Sequence, residues 1–502
     1  MFNKYVLEPV LESIGQYGDA NAFFIDGNHY TYNYFADAVS AIRAELQQAS
    51  LAGNNVGLVA NDDVETYASI LALWLEGCAY IPLHPLQPVE RNNEIILQSH
   101  ISIVLDSESK MNFPSVRKIY TNNLSVDKPD LQPKQISDDS IAYILFTSGS
   151  TGKPKGVPIT RGNIGAFTKA FWDIGYTMDH TDRVLQPFDL TFDLSVMSYL
   201  MPLTKGACVY TVPHDQIKYS YIAGLLDDQS LTFALMVPST IRYLRPYFDE
   251  ISLPSLRYNL FCGEALPLDL ITEWSKCIPK ATIDNVYGPT EDTIFCSQYR
   301  FQRDTINKSY NGVLSIGKTM TSGTMIVVDE NNNRIAQGEQ GELCLAGLQL
   351  TPGYWNNPEK NKQAFFTDNS GQRFYRTGDI CFEDADADLM YCGRADSQVK
   401  VQGYRIELGE IEYHVRESLQ GRNAVAVAFE NGSGNTEIAL FIEGELEDPR
   451  ILMSDLKAKI PSYMEPSRIK SLPEFPLNSN GKVDRNKLKE FVQEEITQAL
   501  HI

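Results

Sequence analysis

No run of eighteen apolar residues occurs in the 502-residue chain, which leaves no candidate for an ordinary membrane-spanning helix, so no membrane insertion is expected. The eight cysteines include no Cys-x-x-Cys pair, and with the seven histidines they show no zinc-type spacing; free thiols in a reducing compartment are expected. Basic charge is scarce as well. Lys and Arg number 43 against 64 Asp and Glu, and the formal net charge of −21 argues against a nucleic-acid or anionic-membrane partner. The start, Met1-Phe2-Asn3-Lys4, lacks the apolar stretch of a secretory signal, so a cytoplasmic protein is expected. Internal repeats and low-complexity tracts are also missing. What remains is a globular composition, 43% hydrophobic, with enough length for two or more domains around a large core.

The most informative stretch is Ile144-Leu145-Phe146-Thr147-Ser148-Gly149-Ser150-Thr151-Gly152-Lys153-Pro154-Lys155-Gly156. It places hydroxyls, glycines and two lysines directly behind an apolar strand, Ile141–Phe146, which Gly149, Gly152 and Pro154 then interrupt. Glycines let backbone amides approach an oxyanion. Thr147, Ser148 and Thr151 add hydroxyl donors, and Lys153 and Lys155 add charge. On Gly, Ser and Thr content alone a solvated turn is the simpler reading; the lysines and the preceding strand favour a phosphate-holding loop. It is not a Walker A loop, because Thr147 stands where the first glycine belongs and Pro154 where Ser or Thr should follow Lys153.

From Tyr30 to Val212 helix-like stretches such as Tyr34–Leu46 alternate with short β-rich runs such as Val56–Val59 and Ala79–Leu83, the texture of parallel sheets flanked by helices. Behind the loop, Val157–Ile159 reads as a strand. Ile164, Phe167, Phe171 and Ile174 then recur at helical spacing after Thr160, a candidate cap. A second α/β stretch, Tyr221–Ile294, holds candidate strands Thr232–Val237, Tyr258–Phe261 and Ile283–Val286. Met325–Leu348 reads as a small β-rich subdomain, and the texture shifts past Asp396 to a charged α+β tail. These observations predict an α/β protein of two domains, 1–395 and 396–502.

Five further segments accompany the loop: Phe192-Asp193-Leu194-Ser195-Val196, Asn285-Val286-Tyr287-Gly288-Pro289-Thr290-Glu291, Tyr375-Arg376-Thr377-Gly378-Asp379, Gly393-Arg394-Ala395-Asp396-Ser397-Gln398-Val399-Lys400, and Asn480-Gly481-Lys482-Val483-Asp484-Arg485. In this order, over nearly the whole chain, they resemble the AMP-forming adenylating enzymes, which include acyl-CoA synthetases, firefly luciferase and the adenylation domains of nonribosomal peptide synthetases. The resemblance implies a large N-terminal domain of layered α/β subdomains plus a β-rich subdomain. It also implies a small mobile α+β C-terminal lid that rotates about a hinge at Asp396, one face serving adenylation and the other thioester formation.

It further implies ATP and Mg2+. Carboxylate activation needs in-line attack at the α-phosphorus and neutralisation of the departing pyrophosphate. Glu291 suits Mg2+ through oxygen, and Thr290 beside it suits the α-phosphate. Tyr287 offers a face for adenine and Asn285 an amide for the base edge. By the resemblance Asp379 binds the ribose hydroxyls with Arg394 nearby; taken alone the two read as a surface ion pair. The same resemblance assigns to the nucleotide Thr147, Ser148, Gly149, Thr151, Lys155, Gly263, Glu264, Val286, Gly288, Pro289, Tyr391, Cys392 and Gly393. Lys482, in a turn where a lone lysine is usually solvated, matches the lysine that bridges substrate carboxylate and nucleotide and stabilises transition-state charge.

Asp193 bears on which acid is activated. It matches the aspartate that amino-acid-activating domains keep for the substrate ammonium, a group that fatty and aryl acids lack; as Asp before Leu-Ser-Val-Met it reads equally as a helix cap. The resemblance lines the side-chain pocket with Leu194, Met197, Met236, Leu260, Cys262, Val286, Ile294 and Phe295. These bulky apolar walls imply a small uncharged substrate side chain. Phe192–Met197 and Leu260–Pro267 look especially like stand-alone D-alanine:carrier-protein ligases, which points to alanine. Two positions depart from that pattern: His84, where many relatives have Asp, and Val286, which replaces a more polar neighbour of the substrate. With no Gly-x-Ser carrier segment and no His-His-x-x-x-Asp motif in the chain, a carrier protein bearing phosphopantetheine is expected to act in trans. The alternatives are an acyl-CoA synthetase for a small acid, separated by Asp193, and a nucleotide-binding regulatory module without chemistry, disfavoured by Lys482, Glu291 and Thr290.

Overall fold

The computed structural model describes the chain except residues 50, 52–53, 109–110, 150–151, 322, 397, 447, 479–482 and 501–502, and the side chains of 497–500. Thr151, Ser397 and Lys482 therefore lie outside the described residues. Two compact units divide the chain, one of Met1–Pro85, Ile96–Phe146 and Gly156–Ala395, the other of Leu86–Ile95, Thr147–Lys155 and Asp396–Ile502.

Two large sheets organise the first unit. The nine-stranded one runs in the order Lys318–Thr319, Ser297–Arg300, Thr282–Tyr287, Tyr258–Phe261, Phe233–Met236, Arg183–Gln186, Cys208–Thr211, Asn21–Ile25, Asn28–Thr31. The six inner strands, Thr282–Tyr287 through Asn21–Ile25, pair in parallel, and both edges are antiparallel. The six-stranded sheet runs Arg117–Tyr120, Ile103–Asp106, Asn55–Val59, Ala79–Leu83, Ile141–Thr147, Lys155–Thr160. Helices cover the sheets because parallel strands bury both faces, which is why runs such as Ala79–Leu83 are apolar throughout. The helix Arg161–Asp173 begins with Thr160 and Asn163 in a reciprocal capping box, as the sequence predicts for its start. The β-rich part is a five-stranded sheet built on Gly323–Val328, Gly341–Gly347 and Arg373–Glu383.

In the second unit the strands Ala424–Glu430, Thr436–Glu443 and Arg468–Leu472 form one sheet. The hairpin Gln398–Val401/Tyr404–Glu407 turns at Gln402 and Gly403, both at positive φ, the pairing that lets a two-residue loop follow the strand twist. Among the described residues no helix is long and apolar enough to cross a membrane.

Candidate active site

Asp193 sits at the end of the loop leading into the helix Leu194–Leu203, in the cap position, but its side chain makes no capping hydrogen bond. The helix start therefore does not account for this carboxylate, which is 4% exposed. Tyr80 and Tyr143 lie close enough to feel it: burial first, and the Asp193 charge after it, push both phenols above their ordinary value.

The apolar residues assigned to the pocket are each 2% exposed or less. Leu194, Met197, Leu260, Cys262, Val286, Ile294 and Phe295 belong to one core cluster. Met236 does not join them. It pairs in register with Phe261 and packs in the cluster on the other face of the sheet, because side chains alternate along a strand and Leu235, not Met236, shares the face of Leu260.

The segment Tyr287–Phe295 carries local strain. Thr293 and Ile294 hold φ of 55° and 75°, a region that costs β-branched residues about 1–3 kcal/mol each. Gln349, 1% exposed, holds the turn: its side-chain amide donates to the carbonyls of Asp292 (3.1 Å), Thr293 (3.2 Å) and Phe295 (2.9 Å), and its backbone carbonyl accepts from Thr293 Oγ1 at 2.5 Å. Gly288 is required where this turn folds back, since a Cβ there would lie 2.3 Å from the Phe295 Cα. Nothing in Leu348-Gln349-Leu350 marks Gln349 as a clamp, and only the fold reveals it.

Glu291, fully buried in the short turn Thr290–Asp292, accepts from the Tyr354 hydroxyl at 2.6 Å, and Tyr354 lies 3.4 Å from the Tyr375 hydroxyl. Beside it, burial pushes the Asp292 carboxyl up to about 7. Tyr287 donates its hydroxyl to Asp379 at 2.5 Å, and Arg394 donates to the other Asp379 oxygen at 2.8 Å. Burial and then the Asp379 charge push the Tyr287 phenol well above its ordinary value. Asp379 and Arg394 are thus a mostly buried, hydrogen-bonded pair with 5% and 10% side-chain exposure. They are not the surface pair that the two residues suggest in isolation.

Asn285 donates its amide to the carbonyl of Ser315 at 2.8 Å. Glu264, after Gly263 at φ 89°, accepts from the Ser239 amide at 2.8 Å. Tyr391, Cys392 and Gly393 lie on the strand Leu389–Arg394, which pairs with Arg373–Glu383 and sets Arg394 opposite Asp379.

In the second unit the phosphate-type loop is tied to the hairpin strand Tyr404–Glu407 and to the helix Leu408–Ser418 that follows it. Lys155 Nζ meets Glu407 at 3.1 Å, and the Gly149 amide donates to Glu410 at 2.9 Å, a carboxylate that also pairs with Arg91 at 2.6 Å. Ser148 Oγ donates to the Arg405 carbonyl and accepts from the Glu407 amide. Of the donors that the sequence offers to phosphate, Lys155 and the Gly149 amide are engaged by Glu407 and Glu410, Lys153 by Glu94 at 3.0 Å, and the Ser148 hydroxyl by a backbone carbonyl. Gly149 must be glycine, because a Cβ would lie 2.0 Å from the Lys153 carbonyl oxygen.

A family model described as AMP-binding enzyme matches residues 10–355. Tyrocidine synthase 3 of Brevibacillus parabrevis is 31% identical over 96% of this chain and 8% of its own length. The chain spans 6% to 13% of the length of the peptide synthases it matches. A D-alanine–D-alanyl carrier protein ligase of Bacillus licheniformis is 29% identical, covering 96% of this chain and 99% of its own. Among solved structures, the Vibrio cholerae adenylation domain AlmE, in complex with glycyl-adenosine-5′-phosphate, superposes with a TM-score of 0.86 at 27% identity over 97% of both chains. The mixed α/β architecture is that of adenylation domains, and with the family model spanning Val10 to Trp355 the chain belongs to the AMP-binding enzymes.

Proposed function

We propose that the protein activates a small amino acid, alanine first among the candidates, as its aminoacyl adenylate with release of pyrophosphate. It then passes the acyl group to the phosphopantetheine thiol of a separate carrier protein. The observation that carries this reading is Asp193, a buried carboxylate whose side chain makes no capping hydrogen bond and whose charge reaches Tyr80 and Tyr143. An amino acid brings an ammonium with which a buried carboxylate can pair; a simple acyl acid does not. Leu194, Met197, Val286 and Ile294, apolar and in one core cluster, support a small uncharged substrate side chain. The relatives point the same way, one a D-alanyl carrier protein ligase by name and one solved with a glycyl adenylate.

In this reading Asp379 accepts from the ribose hydroxyls and Arg394 holds that carboxylate in place. Asn285 and Tyr287 address adenine, and Thr290 donates to the α-phosphate. The Glu291 donor set, a hard carboxylate oxygen fixed by Tyr354, fits Mg2+, which takes one or two carboxylates and fills its remaining positions with phosphate and water. When bound, Mg2+ neutralises charge on the polyphosphate. Lys482 bridges the carboxylate and the nucleotide, and rotation at Asp396 exchanges the two half-reactions. The eight cysteines, all free thiols, suit a cytoplasmic setting.

Amino-acid-dependent exchange of pyrophosphate into ATP tests this, run with D-alanine, L-alanine, glycine, serine and propionate side by side. Alanine is expected to lead and propionate, the same carbon skeleton without the ammonium, to fail. Exchange with propionate equal to that with alanine would overturn the amino-acid assignment in favour of an acyl-CoA synthetase.

A further inference from the structure

His84, Asp189 and His214 come together in the first unit, each just past the C-terminal end of a parallel strand, respectively Ala79–Leu83, Arg183–Gln186 and Cys208–Thr211. Among the described residues they are the one group of three whose ligand atoms all lie within 4.8 Å of one another. His214 Nδ1 is 3.2 Å, and His84 Nε2 3.7 Å, from the same Asp189 oxygen. Those edges are close to what a tetrahedral ion with bonds of about 2.0–2.1 Å imposes. The side chains are only 10%, 11% and 17% exposed, so the carboxylate cannot rely on water.

The hydrogen bonding of His214 sharpens the point. Its Nε2 faces the Ala60 carbonyl at 3.3 Å, and a carbonyl can only accept, so Nε2 carries a proton. In the neutral ring Nδ1 then presents a lone pair to the Asp189 oxygen, lone pair against lone pair. Such an approach is stable only with a cation between the two atoms, either a second proton on the ring or a metal ion. A backbone carbonyl on the distal ring nitrogen is also the support that metal-bound imidazoles usually have.

We propose that His84 Nε2, His214 Nδ1 and Asp189 Oδ1 form a binding site for a divalent transition metal of the Zn2+ type, with solvent completing the coordination. Two imidazoles and one carboxylate suit zinc and not the all-oxygen preference of Mg2+. Lys218, whose Nζ lies 3.1 Å from the same Asp189 oxygen, competes for this site; its side chain is 39% exposed and has solvent to move into. Since Asp189 lies four positions before Asp193, the ion would brace the loop that carries the candidate substrate carboxylate.

Zn2+ titration of the chelator-stripped full chain, followed by calorimetry and by thermal unfolding, tests the site, with Co2+ as a spectroscopic probe. One ion per chain is expected, with tetrahedral Co2+ bands. Binding is expected to vanish in both His84→Gln and His214→Gln and to tighten about tenfold in Lys218→Met, where the competing ammonium is gone. Circular dichroism of the stripped variants separates loss of the site from loss of the fold, and should either fail to fold, the Lys218→Met result decides alone. No binding, binding that survives both histidine variants, or no gain in Lys218→Met would overturn the proposal and leave an imidazolium–carboxylate network.

Discussion

Replacing Asp193 with Asn keeps the side-chain volume and removes the charge. With the carboxylate 4% exposed, little water reaches the position, so the substrate ammonium would lose a buried partner and not a screened one. Truncating one member of a buried, hydrogen-bonded charge pair costs about 2–5 kcal/mol, or roughly 30- to 4,000-fold in kcat/KM for alanine. The loss should be specific. Exchange driven by propionate, weak in the parent, should be unchanged or improved, because no ammonium is left unpaired. Steady-state pyrophosphate exchange with both acids reads the two numbers, and circular dichroism confirms the fold. A fall of less than about threefold with alanine, or an equal fall with both acids, would refute the pairing.

Tyr354→Phe removes the hydroxyl that fixes Glu291; loss of one hydrogen bond to a buried carboxylate, about 1–3 kcal/mol, is expected to raise the Mg2+ concentration needed for half-maximal exchange. Glu407→Gln releases Lys155 from its carboxylate at 3.1 Å and is expected to tighten ATP binding by about 1 kcal/mol, roughly fivefold, read by calorimetry. Gly288→Ala is expected to lower the unfolding midpoint, because its Cβ would meet the Phe295 backbone at 2.3 Å. Glu76 supplies a pH dependence: burial pushes its carboxyl up, but hydrogen bonds from Lys134, Arg43 and Gln47 outweigh this and hold it below its ordinary value. Its contribution is complete above the unfolded carboxyl value and is lost as pH falls through the lower folded one, so Glu76→Gln should flatten the acid limb of a stability–pH profile.

Local chemistry made much of the first unit legible. The apolar run Ile141–Phe146 appears within the strand Ile141–Thr147, and the Ile164, Phe167, Phe171 periodicity lies on the helix Arg161–Asp173 with Thr160 at its cap. Val157–Ile159 extends to Lys155–Thr160, since strand ends are set by pairing and not by apolarity. What stayed hidden depends on contacts between distant residues. Lys155 and Glu407 meet across 252 positions. The Gln349 clamp and the Tyr354–Glu291 bond leave no periodic trace. His84, Asp189 and His214 follow no ligand spacing because they sit on three separate strand ends. Met236 shows the limit of position matching: a one-residue step along a strand moves a side chain to the opposite face.

The fate of the substrate oxygen tests adenylation most directly. Alanine labelled with 18O in both carboxylate oxygens, turned over with ATP and the carrier protein, should deliver one label into AMP and none into pyrophosphate, as attack of the carboxylate on the α-phosphorus requires. Label in pyrophosphate or inorganic phosphate, or unlabelled AMP after full turnover, would contradict it.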